Sequence, residues 1–64
     1  MLYYIANDAD GHPIDAFQSI NNCFDYVDEY SEGPSEPYIS MVEADSFEHA
    51  LNLAVLGFAK PYNS

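Results

Sequence analysis

The chain has 64 residues, one Lys or Arg against eleven Asp and Glu, and a formal charge of -10 at pH 7. A single domain fits at this length, and it buries only about 60% of the surface its unfolded chain exposes, which leaves little room for a deep catalytic cleft. With 48% hydrophobic residues the chain is not a disordered polyanion, and with one cationic side chain it cannot neutralise the phosphates of a nucleic acid.

Residues 2–6 (LYYIA) are aromatic and β-branched and predict a strand. Residues 7–11 (NDADG) are turn formers, and Asp10-Gly11 is a hairpin signal because Gly accepts positive φ without steric cost. Residues 12–17 (HPIDAF) are the expected return strand. Pro13 has no amide hydrogen to give a ladder, so this strand belongs at a sheet edge. Ser19 suits an N-cap. After it, Ile20, Cys23, Phe24, Val27 and Tyr30 recur at helical steps and predict an amphipathic helix over about residues 20–31. Gly33, Pro34 and Pro37 end it in a loop over 31–37.

Residues 38–44 (YISMVEA) predict a third strand. A second helix is expected to start at Asp45, with Glu48 reaching back as in a capping box. Its apolar stripe is Phe47, Ala50, Leu51, Ala54 and Phe58, widened by Leu53 and Val55. Gly57 marks its fraying end, Pro61 forbids its continuation, and residues 62–64 are expected to be a loose tail.

The order β-β-α-β-α implies an α+β fold formed by one domain over residues 1–64. The hairpin makes the first two strands antiparallel, and a right-handed crossover returns the third strand parallel to the second. The simplest sheet is three-stranded and antiparallel, in the order 2-1-3, with two helices on one face as a two-layer sandwich. No apolar run reaches the ~18 residues that span a bilayer, and the start of the chain lacks the basic residues of a signal peptide. One Cys permits no internal disulfide and suits a reducing compartment, so a cytoplasmic location is expected.

The carboxylates are not spread evenly. Asp25, Asp28, Glu29 and Glu32 share one helical face at ~100° per residue, opposite Ile20, Phe24 and Val27. Glu36 extends the series into the loop. A solvated face is the plain explanation of such a run. Against it, no lysines are interspersed, and like charges at these spacings cost a few tenths of a kcal/mol per pair. Asp28, Glu29 and Glu32 also lie toward the helix C-terminus, where the macrodipole disfavours anions. Neighbouring carboxylates on a helix sit about 5–6 Å apart at Cβ, and a DNA strand carries one charge per ~3.4 Å. Such a face therefore imitates a polyanion. Asp8, Asp10 and Asp15 form a second cluster at the hairpin.

Other chemistry finds little support. Asp8-x-Asp10-Gly11 does not fit a calcium loop, since Pro13 and Ser19 fall where Gly and Glu are required. His12 and His49 have no His or Cys at ligand spacing. Cys23 lies on the apolar helix face among acidic residues, which disfavours a thiolate. No phosphate-binding glycine loop or nucleophile–base pattern is present. No enzymatic activity, metal or cofactor is expected. The six tyrosines exceed what so small a core absorbs. Tyr26 flanks the acidic face and Leu56 falls on the polar side of the second helix. Both suit a protein interface, and the alternative is amphipathic residues at the core edge.

The short chain, its pI of about 4.1 and the Asp25/Asp28/Glu29/Glu32 face together resemble the small acidic inhibitors encoded by phages. These include anti-CRISPR proteins and inhibitors of uracil-DNA glycosylase, several of which are DNA mimics. The resemblance is one of size and charge over the whole chain. It implies a non-enzymatic, stoichiometric inhibitor that occupies the nucleic-acid channel of a basic defence or repair protein, such as a CRISPR-Cas effector subunit, in the host cytoplasm. Its partner-binding residues would be Asp25, Asp28, Glu29, Glu32, Glu36, Tyr26, Asp8, Asp10 and Asp15. Residues 41–51 (MVEADSFEHAL) are also similar to the strand-to-helix junction of small antitoxin domains of the HicB type. That likeness implies a regulatory domain acting through apolar surface.

A charge of -10 on a small core predicts a fold that salt stabilises, because screening relieves self-repulsion. The thermal midpoint is expected to rise between about 10 mM and about 300 mM NaCl, the range over which the Debye length shrinks from ~30 Å to below 10 Å. A flat or falling midpoint in calorimetry would show that the carboxylates do not repel one another.

Overall fold

A computed structural model of the chain describes residues 1–8, 10–30 and 38–62. Its elements are β1 (Leu2–Asn7), β2 (Pro13–Phe17), α1 (Ile20–Tyr30), β3 (Ile39–Glu43), α2 (Phe47–Val55) and β4 (Lys60–Pro61). The expected loop over 31–37, with Glu32 and Glu36, lies outside the described residues, as do Asn63 and Ser64 of the expected tail. Among the described residues, no helix is long and apolar enough to cross a membrane.

The sheet runs β2-β1-β3-β4. β1 is antiparallel to both neighbours, in the expected 2-1-3 order, and β2 with its Pro13 is an edge. The sheet has a fourth strand, however, not three. β4 pairs Lys60 with Met41 and Pro61 with Ser40. The Tyr62 amide then donates to the Ile39 carbonyl at 2.9 Å. Tyr62 is therefore held, not loose. Its ring meets Phe24 at 5.7 Å and Tyr4 at 6.1 Å, both edge-on.

The helices also depart from the expected arrangement. Successive strand side chains point to opposite faces. Tyr3 and Ile5 of β1 join Ala16, Val42 and Ala44 in a cluster closed by Ala50, Leu51, Leu53 and Ala54 of α2. Tyr4 and Ala6 join Phe17 and Ile39 in a second cluster closed by Ile20, Cys23, Phe24 and Val27 of α1. The helices thus lie on opposite faces of the sheet, giving three layers where two were expected. Burial on both faces explains why β1 reads as an unbroken apolar run.

The hairpin depends on Asp8. One carboxylate oxygen accepts the amides of Asp10 (3.0 Å) and His12 (2.8 Å), and its carbonyl accepts from Gly11 at 3.0 Å. Gly11 supplies the required positive φ of 87°. A β-bulge then shifts the β1–β2 register, from Asn7 opposite Pro13 to Ala6 opposite Asp15.

Ser19 occupies the N-cap position of α1, where its carbonyl accepts the Cys23 amide. In α2 the cap is Ser46, one residue after the expected Asp45. The Ser46 hydroxyl accepts the His49 amide at 3.1 Å, and His49 Nδ1 accepts the Asp45 amide at 3.1 Å. His49 therefore takes the place expected for Glu48.

The end of α2 is a Schellman turn. The Gly57 amide donates to the Ala54 carbonyl at 3.1 Å, and the Phe58 amide donates to the Leu53 carbonyl at 2.9 Å. Gly57 stands at φ 89°. Phe58 follows this reversal and so leaves the apolar stripe, with 66% of its surface exposed.

No atom lies within 4 Å of a Cβ placed at Gly57, so only the backbone opposes one. Gly57→Ala is expected to lower stability by about 1–2 kcal/mol, the cost of a left-handed L-residue. Urea unfolding reads the loss. D-alanine at the same position of a synthetic chain should show no such loss, because its mirror-image preference suits this φ.

Candidate functional site

The buried stripe of α1 orients its opposite face. Cys23 and Val27 point into the sheet with 0% and 2% of their surface exposed. Asn21, Asn22, Asp25, Asp28 and Glu29 are consequently all exposed. The helix has no basic residue in its last turn and no acidic residue in its first. Its charges therefore gather where the dipole opposes them. Among the described residues, no ion pair or side-chain hydrogen bond reaches Asp25, Asp28 or Glu29.

Asp15 lies on the same side of the sheet as α1. It sits opposite Ala6 on β1, and directly paired residues of an antiparallel ladder share a face. Ala6 belongs to the α1 cluster. The Asp15 side chain is therefore on the α1 side of the sheet, where it accepts the Ala16 amide at 2.8 Å. Its charge is felt by Cys23, whose thiol is pushed up to about 11 by burial first and by Asp15 second. Such a thiol is not a nucleophile at neutral pH.

The other hairpin carboxylates differ from one another. Asp8 is half-buried and engaged in the turn, so its first role is structural. Asp10 is exposed. Asp8, Asp10 and His12 bring their ligand atoms within 4.8 Å of one another. Nothing beyond this cluster points to an ion.

Tyr26 is half-buried, with its ring 5.4 Å from Phe17. Tyr4, Tyr38 and Tyr62 are likewise half-buried against the α1 cluster, and Tyr3 is buried. Tyr4, Tyr26, Tyr38 and Tyr62 are thus residues at the core edge. Leu56 is 69% exposed, as its place on the polar side of α2 implies.

A second feature was not legible beforehand. Between the β3 edge beyond Met41 and the end of α2 lies a groove of about 440 Å³. Leu2, Met41, Val42, Leu53 and Phe58 form its apolar walls, and Glu43 and Lys60 stand at its sides. Reading Phe58 as helical hid it. The available signal was Leu53 and Phe58 flanking Gly57, since these positions touch in a Schellman turn.

The chain matches no protein-family model, no curated protein and no solved structure.

The exposure of Asp28 and Glu29 carries a stability prediction. Asp28→Lys with Glu29→Lys gives Asp25 attractive neighbours at i+3 and i+4, and puts positive charge near the helix C-terminus. The double variant is expected to keep its circular-dichroism spectrum and to match or exceed the parent's stability by up to about 1 kcal/mol. A clear loss in urea unfolding would show that these carboxylates hold the fold.

Proposed function

We propose that the chain is a non-enzymatic, stoichiometric inhibitor that mimics DNA, in the manner of anti-CRISPR proteins. The acidic layer built on α1 occupies the nucleic-acid channel of a basic protein, such as a CRISPR-Cas effector subunit or a repair enzyme, in the cytoplasm of the host cell. One observation carries this reading. Asp25, Asp28 and Glu29 stand exposed and unpaired among the described residues, Asp28 and Glu29 against their own helix dipole, with Asp15 on the same side of the sheet. Evenly repelling charge of this kind stabilises nothing within the molecule. It does attract Lys and Arg, speeds encounter, and forms charge-assisted hydrogen bonds once water is displaced.

The same face cannot recruit nucleic acid, since the chain has one Lys or Arg in all. The partner is therefore the protein that holds nucleic acid, and inhibition is competitive with it. Within the acidic layer, Asp25, Asp28 and Glu29 make the contact, and Asp15 and Asp10 extend it toward the hairpin. Tyr26 borders the face and adds ring surface at its rim.

A second reading is an antitoxin-like regulatory domain that covers its partner with apolar surface. It draws on the exposed Val55, Leu56 and Phe58. It puts the contact at the end of α2, and such binding tolerates salt.

The test uses the immobilised chain and a bacterial lysate at about 50 mM and about 500 mM NaCl, on either side of strong screening. The expected result is enrichment of nucleic-acid-binding proteins at low salt, eluted both by high salt and by a competing DNA duplex. A column carrying Asp28→Lys with Glu29→Lys should lose most of that capture. Capture indifferent to salt, to duplex and to charge reversal would overturn the mimic and leave the apolar reading.

A further inference from the structure

Most of this molecule repels a copy of itself, because its charge is -10. The groove between β3 and the end of α2 differs. It holds Lys60, the single Lys or Arg of the chain. It also holds Glu43, which lies 2.8 Å from the Met1 amine. With the Met1 amine it therefore sets two cations against one carboxylate and escapes the repulsion of the rest, and its walls are apolar. Although the chain has eleven acidic residues, Lys60 makes no ion pair within the molecule among the described residues.

Several of the exposed large apolar residues lie at this end as well. Leu2 and Phe58 line the groove with 42% and 66% of their surface exposed. Val55 and Leu56, at 70% and 69%, belong to the turn that delivers Phe58. Exposed aliphatic and aromatic side chains concentrated at one place mark an interaction surface.

We infer that this groove is the contact face between two copies of the chain, related by a two-fold axis, with Lys60 of each copy against Glu43 of the other. A two-fold contact requires one patch complementary to itself. A patch carrying one lysine, a carboxylate engaged through Oε1 alone by the Met1 amine, and apolar walls meets that requirement. A basic partner has less reason to settle here, where a lysine would face it, than on α1. A stable pair buries about 800 Å² from each partner, roughly a fifth of the 4157 Å² surface of this chain. No residue of α1 lines the groove, so pairing leaves the acidic layer open. The inference is independent of the inhibitor reading, and salt separates them. Salt weakens binding to a basic partner, but it strengthens an apolar contact between two anions by screening their repulsion.

Sedimentation velocity on the chain from about 10 μM to about 1 mM, a range suited to a micromolar dimer, at low and high NaCl, tests this. The expected result is a concentration-dependent dimer that high salt favours. Phe58→Ala should weaken it about tenfold. Glu43→Lys and Lys60→Glu should each weaken it about fivefold or more, since either substitution breaks both symmetry-related ion pairs, and the two together should restore it. Both charged side chains are exposed, so these variants keep the fold even if Phe58→Ala does not, and circular dichroism verifies this for each. A monomer at every concentration and salt overturns the inference. So does a dimer indifferent to the charge reversals, or a double variant no better than the singles.

Discussion

Every layer of this protein is built on β1. Leu2–Asn7 is hydrogen-bonded along both edges, to β2 and to β3, and covered on both faces. Tyr3 and Ile5 form the floor under α2, while Tyr4 and Ala6 form the floor under α1. Two half-cores on one strand are an unusual economy for so short a chain, because neither is thick. Small residues make it work. Ala6, Ala16, Ala44, Ala50 and Cys23 are all buried and let the helices approach the sheet closely. Aromatic rings then widen what the small residues cannot fill. Tyr26 closes on Phe17 at one flank of α1, and Phe24 closes on Tyr62 at the other. Aromatic pairs of this geometry add about 0.5–1.5 kcal/mol each beyond their buried area. Tyr4, Tyr26, Tyr38 and Tyr62 accordingly pack around the rim of the α1 half-core.

Much of this architecture was legible in the sequence. The Leu2–Ala6 run, the Asp10-Gly11 turn, Pro13 and the Ile20–Val27 periodicity define three of the elements and the edge role of β2. What failed was assignment to faces and ends. Two helices after a hairpin pack equally well on one face or two, and only the lack of alternation in Leu2-Tyr3-Tyr4-Ile5 argues for two. β4 is two residues long, too short for any periodicity. Pro61 is informative only as a helix breaker until Met41 is seen to need a partner. Asp45 and Ser46 are both good caps. The spacing to Glu48 favours the first, yet His49 bonds across the second.

The candidate site shows the same division. Helical spacing suffices to set Asp25, Asp28 and Glu29 together on α1, because the period is fixed once Cys23 and Val27 are inward. The hairpin carboxylates need more. Asp8 looks like a surface charge in sequence, but its carboxylate is consumed by two turn amides. Asp15 depends on the bulge. An unshifted ladder continuing from Asn7 opposite Pro13 would set Ile14 against Ala6 and Asp15 against Ile5, which is fully buried. A one-residue slip exchanges the faces of a strand. The bulge therefore keeps a carboxylate out of the α2 core, admits Ala16 to it, and delivers Asp15 to the side that already carries the acidic helix.

The two helices make an internal comparison that bears on purpose. In α2 the chain follows the dipole. Glu48 is in the first turn, where the positive end favours it, and Asp45 precedes the cap. In α1 the first turn has no acidic residue, and Asp25, Asp28 and Glu29 follow in the body and last turns. The composition that charges α1 against its dipole is the same one that charges α2 with it, so a general excess of Asp and Glu does not account for the difference. Nor does solubility, since a molecule at -10 needs no further repulsion to stay dispersed. Core packing does not require it either, because Cys23, Val27 and their aromatic neighbours hold the opposite face. A local cost of a few tenths of a kcal/mol per pair, concentrated on one exposed face and avoided on the other helix, is the observation on which the proposal of an external cationic partner rests.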